Sequence, residues 1–142
     1  MLSIALAESA EDRAAVFVIR GAVFVAEQQV PIEEEWDGRD LDADQVLARL
    51  DGVAVGTGRL AVDGDRGVLG RLAVLPRGRG IGAGAALVGA LEEQARKRGL
   101  TAIELHAQIH ALGFYERLGY RAYGEEFMDA GIPHRRMRKD LV

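Results

Sequence analysis

Apolar and polar residues recur along this chain with two different periods, and the period changes several times. Alternation with a period of two, bounded by glycine, aspartate or proline, predicts strands. The predicted strands cover residues 2–7, 45–50, 53–62, 68–75, 102–108, 120–127 and 134–139. The dipeptide Asp51-Gly52 predicts a hairpin turn between the second and third of these strands.

Apolar residues at helical spacing predict three helices between these strands. The first opens at Ser9, which together with Asp12 resembles a capping box, and it ends before Pro31. The second covers residues 81–98 and ends at Gly99, and the third covers residues 111–118. The predicted buried positions of the second helix are Ile81, Leu87, Val88, Leu91 and Ala95. This helical crossover implies that strands 68–75 and 102–108 are parallel neighbours.

Size and composition restrict the classes of protein that fit. The chain has 142 residues, which predicts one domain over residues 1–142 with a sizeable core. It has no cysteine, and His106 and His110 have no metal-ligand company, so we expect no metal site. The net charge of −4 argues against nucleic acid as the main partner. The apolar start is too short for a signal peptide, and no run is long enough to span a membrane, so we expect a cytoplasmic protein.

Acidic residues concentrate between residues 33 and 44, where Arg39 is the one basic residue. Such a run is typical of a solvated loop, and it is equally consistent with a surface that faces a substrate. The sequence leaves both interpretations open.

A glycine-rich and arginine-rich turn separates the strand at 68–75 from the helix that follows. Strand, glycine turn and helix together place free backbone N–H groups and the positive end of a helix against a phosphate. Residues 78–83 fit G-x-G-x-x-A, a weak dinucleotide fingerprint, with Glu104 at the spacing of a ribose-binding acid. Read from Arg77, the same turn is R-x-x-G-x-G. The sequence therefore predicts a phosphate-bearing cofactor at this turn.

The second of these patterns resembles the acyl-coenzyme A pyrophosphate loop of the GNAT acetyltransferases. Residues 108–120 resemble the family's N-x-x-A-x-x-L-Y-E-x-x-G-F segment, with Gln108 in place of the asparagine. Residues 20–40, 56–60 and 131–134 are similar to the ElaA/YjcF branch of that family. The resemblance covers nearly the whole chain.

The resemblance implies an α+β, mixed α/β fold with a central, mostly antiparallel sheet of about seven strands, one splayed parallel pair and flanking helices. It implies transfer of an acyl group, commonly acetyl, from acetyl-CoA to an amine. The pantetheine arm would lie between the splayed strands, and the glycine turn would hold the pyrophosphate. The implied cofactor-binding residues are Leu72, Ala73, Val74, Arg77, Gly78, Arg79, Gly80, Ile81, Gly82, Ala83, Gln108, Ala111 and Phe114.

The resemblance also implies catalytic roles. Tyr115 matches the general acid that protonates the departing thiolate. An acceptor amine must lose a proton before it attacks, and Glu27 is the first candidate for the base. Glu27 lies seven residues after Arg20 on one helical face, so a structural ion pair between the two is the alternative.

Further candidates lie in the segments that would border the acceptor. Glu35, Asp37 and His134 are the expected substrate-binding residues. These three residues and Asp40 are also further candidates for the base. Acidic residues of these segments, Glu33, Glu34, Glu125, Glu126 and Asp129 included, favour a cationic acceptor. The acceptor would be a small-molecule or peptide amine, and a homodimer is compatible with the sequence.

Two departures from the family pattern separate this chain from its relatives. The loop between Pro76 and Arg77 is about two residues shorter than the commoner pattern, and Gln45 stands where the branch usually has a histidine. Two other functions remain open at this point, a non-catalytic acyl-CoA sensor and an NAD-type dinucleotide-binding domain. A similarity of E-x-D-x-x-D at residues 35–40 to acyl-homoserine-lactone synthases is weak.

Overall fold

Seven strands and four α-helices make up the structure, a computed structural model that describes residues 1–141. The strands are β1 (Leu2–Leu6), β2 (Asp44–Leu50), β3 (Val53–Asp63), β4 (Arg66–Val74), β5 (Ala102–Gln108), β6 (Arg121–Asp129) and β7 (Ile132–Asp140). The helices are α1 (Ala10–Arg20), α2 (Ile32–Glu35), α3 (Ala83–Lys97) and α4 (Leu112–Arg117). None of these helices is both long and apolar enough to cross a membrane.

The strands form one sheet in the order β1-β2-β3-β4-β5-β7-β6. Every neighbouring pair is antiparallel except β4 and β5, which confirms the predicted parallel pair around a helical crossover. The glycine turn therefore follows the fourth strand of a mostly antiparallel sheet. A dinucleotide fold needs this turn after the first strand of a doubly wound parallel sheet, so that alternative is wrong.

The parallel pair is short, and this shapes the rest of the molecule. β4 pairs with β5 only over Arg66–Leu69 and Ala102–Leu105. Beyond Leu69, β4 stays paired with β3, while β5 stays paired with β7 as far as Gln108. The two strands therefore separate and leave a gap at their carboxyl ends.

A β-bulge marks the point of separation. On β3, Arg59 and Thr57 pair with Gly70 and Ala73, so that two β4 residues lie opposite Gly58 alone. Arg71, the first of those two residues, has a φ of 50°. An extra residue of this kind bends the strand and increases its twist, which here carries β4 away from β5.

Helices cover both faces of the sheet. On one face α3 packs Leu87, Val88 and Leu91, all nearly inaccessible to solvent, against the strands. On the other face α1 packs Val16 and Ile19 in a second core cluster. The predicted buried position Ile81 is wrong, because α3 begins at Ala83 and Ile81 is 47% exposed in the preceding turn.

The region after α1 differs most from the sequence-based expectation. The Ser9 cap is confirmed, since its hydroxyl accepts the Asp12 N–H at 3.0 Å. The helix then continues as a π-helix over Gly21–Glu27, which the sequence did not predict. The acidic stretch is not a plain loop, because it contains α2 and a 3₁₀ turn at Gly38–Leu41.

Candidate active site

The gap between β4 and β5 opens into a cavity of about 330 Å³. Contributions to its wall come from the π-helix, α2, both separated strands, α4 and the β6–β7 turn. Seven of the predicted site residues line it: Leu72, Gln108, Ala111, Phe114, Tyr115, Glu35 and His134. Residues more than 100 positions apart in the sequence thus meet around one cavity.

Tyr115 lies in the wall of this cavity on α4. Its side chain packs edge-on against Phe114 and Tyr120, with ring centroids 4.9 and 5.9 Å away, and the residue is 8% exposed. Burial raises the pKa of the Tyr115 hydroxyl to about 12. The hydroxyl therefore carries its proton at neutral pH and is able to donate it.

His134 lies in the same wall, on β7, and is almost fully buried. Its ring stacks on Phe127 at 5.9 Å, and its Nδ1 lies 2.6 Å from the Ile132 carbonyl oxygen. A carbonyl oxygen only accepts hydrogen bonds, so Nδ1 carries the hydrogen and Nε2 of the neutral ring keeps a lone pair. This arrangement makes Nε2 the basic atom of His134.

Gln108 ends β5 and is held by two other side chains. Its Nε2 donates to Gln28 Oε1 at 2.9 Å, and its Oε1 accepts from His110 Nε2 at 2.7 Å. The family resemblance implies that Gln108 binds the cofactor, but in the structure both ends of its amide already have partners. Gln28 and His110 line the cavity as well, so the three side chains close one part of its wall.

A second cavity, of about 230 Å³, lies at the glycine turn. Its wall includes the predicted residues Val74, Gly78, Arg79, Gly80, Gly82 and Ala83. Gly80 and Gly82 have φ values of 79° and 84°, which side chains other than glycine rarely adopt. Because α3 begins at Ala83, the positive end of a 15-residue helix faces this cavity. These features fit a phosphate group.

Three predicted cofactor residues lie outside both cavities. Ala73 packs its methyl group into the α1-side core. Arg77 turns away and donates to the Ala54 carbonyl at 3.3 Å. Ile81 is exposed in the turn. For Arg77 and Ile81 the backbone alone remains near the glycine turn.

Glu27, the predicted base, forms an ion pair with Arg79. Arg79 Nη2 donates to both carboxylate oxygens of Glu27 at 2.8 and 3.0 Å, and Arg79 Nε donates to the Val74 carbonyl. Glu27 is partly exposed and is not part of the wall of the larger cavity. The alternative, an Arg20–Glu27 pair, is wrong because Arg20 binds other carboxylates.

Those carboxylates belong to a buried ionic network, which consists of Arg20, Arg59, Arg71, Glu35, Asp37 and Asp40. Arg20 is fully buried and donates to Glu35 Oε1 at 2.5 Å and to Asp40 Oδ1 at 2.6 Å. Arg59 on β3 binds Asp37 and Asp40, and Arg71 on β4 binds Asp37. Three arginines from three elements thus hold one short acidic segment against the sheet.

The network changes the expected role of the acidic segment. Glu35 and Asp37, the predicted substrate-binding residues, are held by arginines of the network. Glu33, Glu125 and Glu126 are not in the wall of the cavity. Two other carboxylates, Glu34 and Asp129, line the cavity and form no ion pair within residues 1–141. The unpaired negative charge in the wall therefore comes from these two residues.

Comparisons with known proteins agree with this geometry. The sequence pattern that defines the acetyltransferase (GNAT) domain matches residues 7–141, and the chain belongs to this family. It is 39% identical to the uncharacterized N-acetyltransferase YjcF of Bacillus subtilis over 136 residues, which cover 95% of this chain and 97% of that protein.

Solved structures show the same fold over nearly full length. Escherichia coli ElaA is 28% identical with a TM-score of 0.87, and the match covers 98% of this chain and 99% of ElaA. An acyl-CoA N-acyltransferase from Pseudomonas aeruginosa is 30% identical with a TM-score of 0.85, at 98% and 99% coverage. The GNAT fold and the likeness to the ElaA/YjcF branch are thereby confirmed.

The ionic network predicts a specific response to acid. Burial disfavours the charged form of Asp40, but hydrogen bonds from Arg20 and Arg59 outweigh it and lower its pKa from 3.8 to about 2. Its stabilisation is therefore present above about pH 4 and is lost as the pH falls towards 2. We expect Asp40→Asn to cost about 3–5 kcal/mol at pH 7 by removing the carboxylate that two buried arginines share, and less at pH 3. Urea unfolding at several pH values measures this.

Asp42→Asn is the matched control, because Asp42 is an exposed carboxylate of the same segment. We expect it to follow the wild-type pH dependence. An Asp40→Asn protein whose free energy of unfolding falls with acid as steeply as that of the wild type contradicts the assignment.

Proposed function

We propose that this protein transfers an acyl group, most simply acetyl, from coenzyme A to a primary amine within a ternary complex. The observation that carries the proposal is the separation of β4 and β5 into a gap with a phosphate-type cradle at one end. At the other end lies a cavity with Tyr115 and His134 in its wall. Holding an acyl thioester and an amine together in one site supplies much of the rate by proximity.

On the cofactor side, the backbone supplies most of the proposed contacts. Leu75 N–H donates to the Val55 carbonyl on β3, and backbone groups alternate in direction along a strand. Val74 therefore directs its N–H and C=O into the gap, where the pantetheine arm would pair with them. The N–H groups of the glycine turn and of the start of α3 would bind the pyrophosphate.

Arg79 occupies part of this path, because it already binds the Val74 carbonyl and Glu27. A pyrophosphate carries more charge than one carboxylate and would take over the guanidinium. Release of Arg79 would also free the Val74 carbonyl for the pantetheine arm. We therefore propose that Glu27 holds the Arg79 side chain in place and is not the base.

In the chemical step, the amine nitrogen attacks the thioester carbonyl carbon, and the carbon–sulfur bond breaks. We propose that Tyr115 gives its proton to the departing thiolate, whose basicity burial in the same cavity increases. His134 Nε2 takes the proton that the ammonium group loses before its nitrogen attacks. The second proton, which the nitrogen loses as the amide forms, replaces the one that Tyr115 gives to the thiolate. Acid and base then occupy different elements, α4 and β7, on one cavity wall.

The charge of the cavity favours a cationic acceptor. The buried network carries three positive and three negative side chains and is neutral in sum. Glu34 and Asp129 remain, and unpaired carboxylates in the wall of a cavity attract a positively charged group. We propose a small-molecule or peptide amine that carries positive charge.

The cofactor assignment is tested at Gly82. Nothing lies within 4 Å of a Cβ placed there, so a side chain has room, but the φ of 84° strains any non-glycine backbone. We expect Gly82→Val to shift the loop and weaken acetyl-CoA binding about tenfold or more, since a cost of 1–3 kcal/mol falls on this conformation. Calorimetric titration with acetyl-CoA measures the dissociation constant.

Gly89→Val inside α3 is the control, because Gly89 has the same free space but an ordinary helical φ. It should bind acetyl-CoA like the wild type. Saturating acetyl-CoA should also raise the wild-type melting temperature, and NAD should not. Undiminished acetyl-CoA binding in Gly82→Val, or stabilisation by NAD alone, would refute the assignment.

Two variants distinguish the role of the proposed acid from that of the proposed base. Tyr115→Phe keeps the ring but removes its proton, so kcat should fall about 10²–10⁴-fold at every pH while acetyl-CoA affinity stays the same. His134→Gln should lose activity most at neutral pH and recover at high pH, where more of the amine is already neutral. Release of free coenzyme A with a panel of amines measures both rates.

Glu27→Gln completes this comparison, because it removes the other candidate base. We expect its kcat to stay near the wild-type value and its acetyl-CoA affinity to change through Arg79. A pH profile in Glu27→Gln like the one expected for His134→Gln would return the role of base to Glu27. Full activity in Tyr115→Phe would reduce the tyrosine to a packing residue and favour a non-catalytic acyl-CoA sensor.

The acceptor charge is tested by neutralising the two unpaired carboxylates. Glu34→Gln and Asp129→Asn together should raise KM for a diamine about tenfold at low salt and less at high salt, because salt screens partly exposed charges. Glu33→Gln is the control, since Glu33 is its neighbour on α2 outside the cavity. An unchanged KM at low salt in the double variant would exclude charge attraction at this site.

A further inference from the structure

Arg71 combines an unfavourable backbone with an unusual set of side-chain partners. It is the first residue of the β4 bulge and has a φ of 50°, where glycine would fit without strain. A residue with a side chain costs about 1–2 kcal/mol in this conformation. Such strain is found where the surrounding structure gains something from the side chain.

The guanidinium of Arg71 reaches across to the end of α2. Its Nε donates to the Glu35 carbonyl at 3.0 Å, and its Nη2 lies 3.3 Å from the Glu34 carbonyl and 3.2 Å from Asp37 Oδ2. The last carbonyl groups of a helix accept no hydrogen bond from within the helix, so they need donors from other parts of the protein. Arg71 supplies those donors while it also lines the cavity.

The two ends of this side chain belong to the two halves of the proposed site. Its backbone forms the bulge that leads β4 into Leu72 and Val74, where the thioester would lie. Its guanidinium holds the segment that carries Glu34 to the acceptor side. Arg20 and Arg59 also bind this segment. Arg59 binds carboxylates of the network alone, whereas Arg20 binds two of these carboxylates and also the Glu35 carbonyl.

We propose that Arg71 is a positioning residue that fastens the acceptor-side segment, residues 32–37, to the bulged strand beside the thioester. Arg71 is then the side chain that joins the amine site to β4, the strand of the cofactor site. This inference rests on the proposed acyl transfer and adds to it a residue that determines acceptor binding without forming part of the acid–base pair.

Arg71→Gly is the informative variant, because glycine keeps the left-handed bulge while the side chain that carries the guanidinium is removed. We expect KM for the amine to rise about tenfold, the loss of one or two charge-assisted hydrogen bonds, while the dissociation constant of acetyl-CoA stays within about twofold. Arg71→Lys should stay impaired, because an ammonium group lacks the planar fork of donors. Ethylguanidinium in the buffer should restore KM in Arg71→Gly. Arg66→Ala is the control, because Arg66 is a partly exposed arginine at the other end of the same strand.

Hydrogen exchange tests the contact without any ligand. The amides of Glu34, Glu35 and Trp36 donate to the carbonyls of Pro31 and Ile32, and they should exchange faster in Arg71→Gly than in Arg66→Ala. Wild-type exchange in Arg71→Gly, or an equal loss of amine and acetyl-CoA binding together with a lower melting temperature, overturns the positioning role. A wild type that neither binds nor consumes acetyl-CoA overturns the proposed function instead, and the exchange measurement still decides on Arg71.

Discussion

The parting of two parallel strands is the constraint on which the rest of this structure depends. β4 and β5 share only four residue pairs, and beyond Leu69 each strand keeps a neighbour on its outer side alone. Backbone groups on the inner side then face a cavity, although buried N–H and C=O groups need partners. Arg79 meets one of these needs at the Val74 carbonyl. A ligand with its own amide groups would meet the same need, and for this reason we propose the gap as the cofactor site.

The ionic network holds the segment between the π-helix and β2, which contributes Glu34 and Glu35 to the wall of the cavity. Arg20, Arg59 and Arg71 bind the carboxylates of this segment, with Arg20 and Asp40 almost inaccessible to water. Buried ion pairs add little net stability against apolar packing, but they permit one geometry where apolar contacts permit several. We therefore interpret the network as fixing the position of the acidic segment that contributes Glu34 to the wall of the cavity.

Local patterns in the sequence predicted the elements well. Alternation indicated all seven strands, and the helical crossover indicated the single parallel pair, because both depend on neighbouring residues. The glycine turn and Tyr115 were placed by motif, and the structure puts both beside the gap. Helix ends were less certain, as Ile81 shows.

The partners of charged side chains could not be predicted in this way. Helical spacing suggested Arg20 with Glu27, but Arg20 binds carboxylates 15 and 20 residues away, which the fold of the acidic segment brings to it. Nothing in the sequence around Arg71 signals a bulge, since glycine is the usual residue there. The π-helix at Gly21–Glu27 carries no compositional signal either. These features arise from contacts between distant segments.

The backbone character of the gap has a consequence for how such proteins diverge. The cofactor contacts that we propose for backbone N–H and C=O groups at Val74 and the glycine turn do not depend on the side chains there, the glycines excepted. The opposite wall is built from side chains, among them Glu34 on α2, Asp129 on β6 and His134 on β7. Mutational drift is therefore free to exchange the acceptor while the donor stays the same. In a lineage with this fold, specificity for the acceptor would change through side-chain substitutions while specificity for the donor is kept. Relatives of similar shape therefore need not share a substrate.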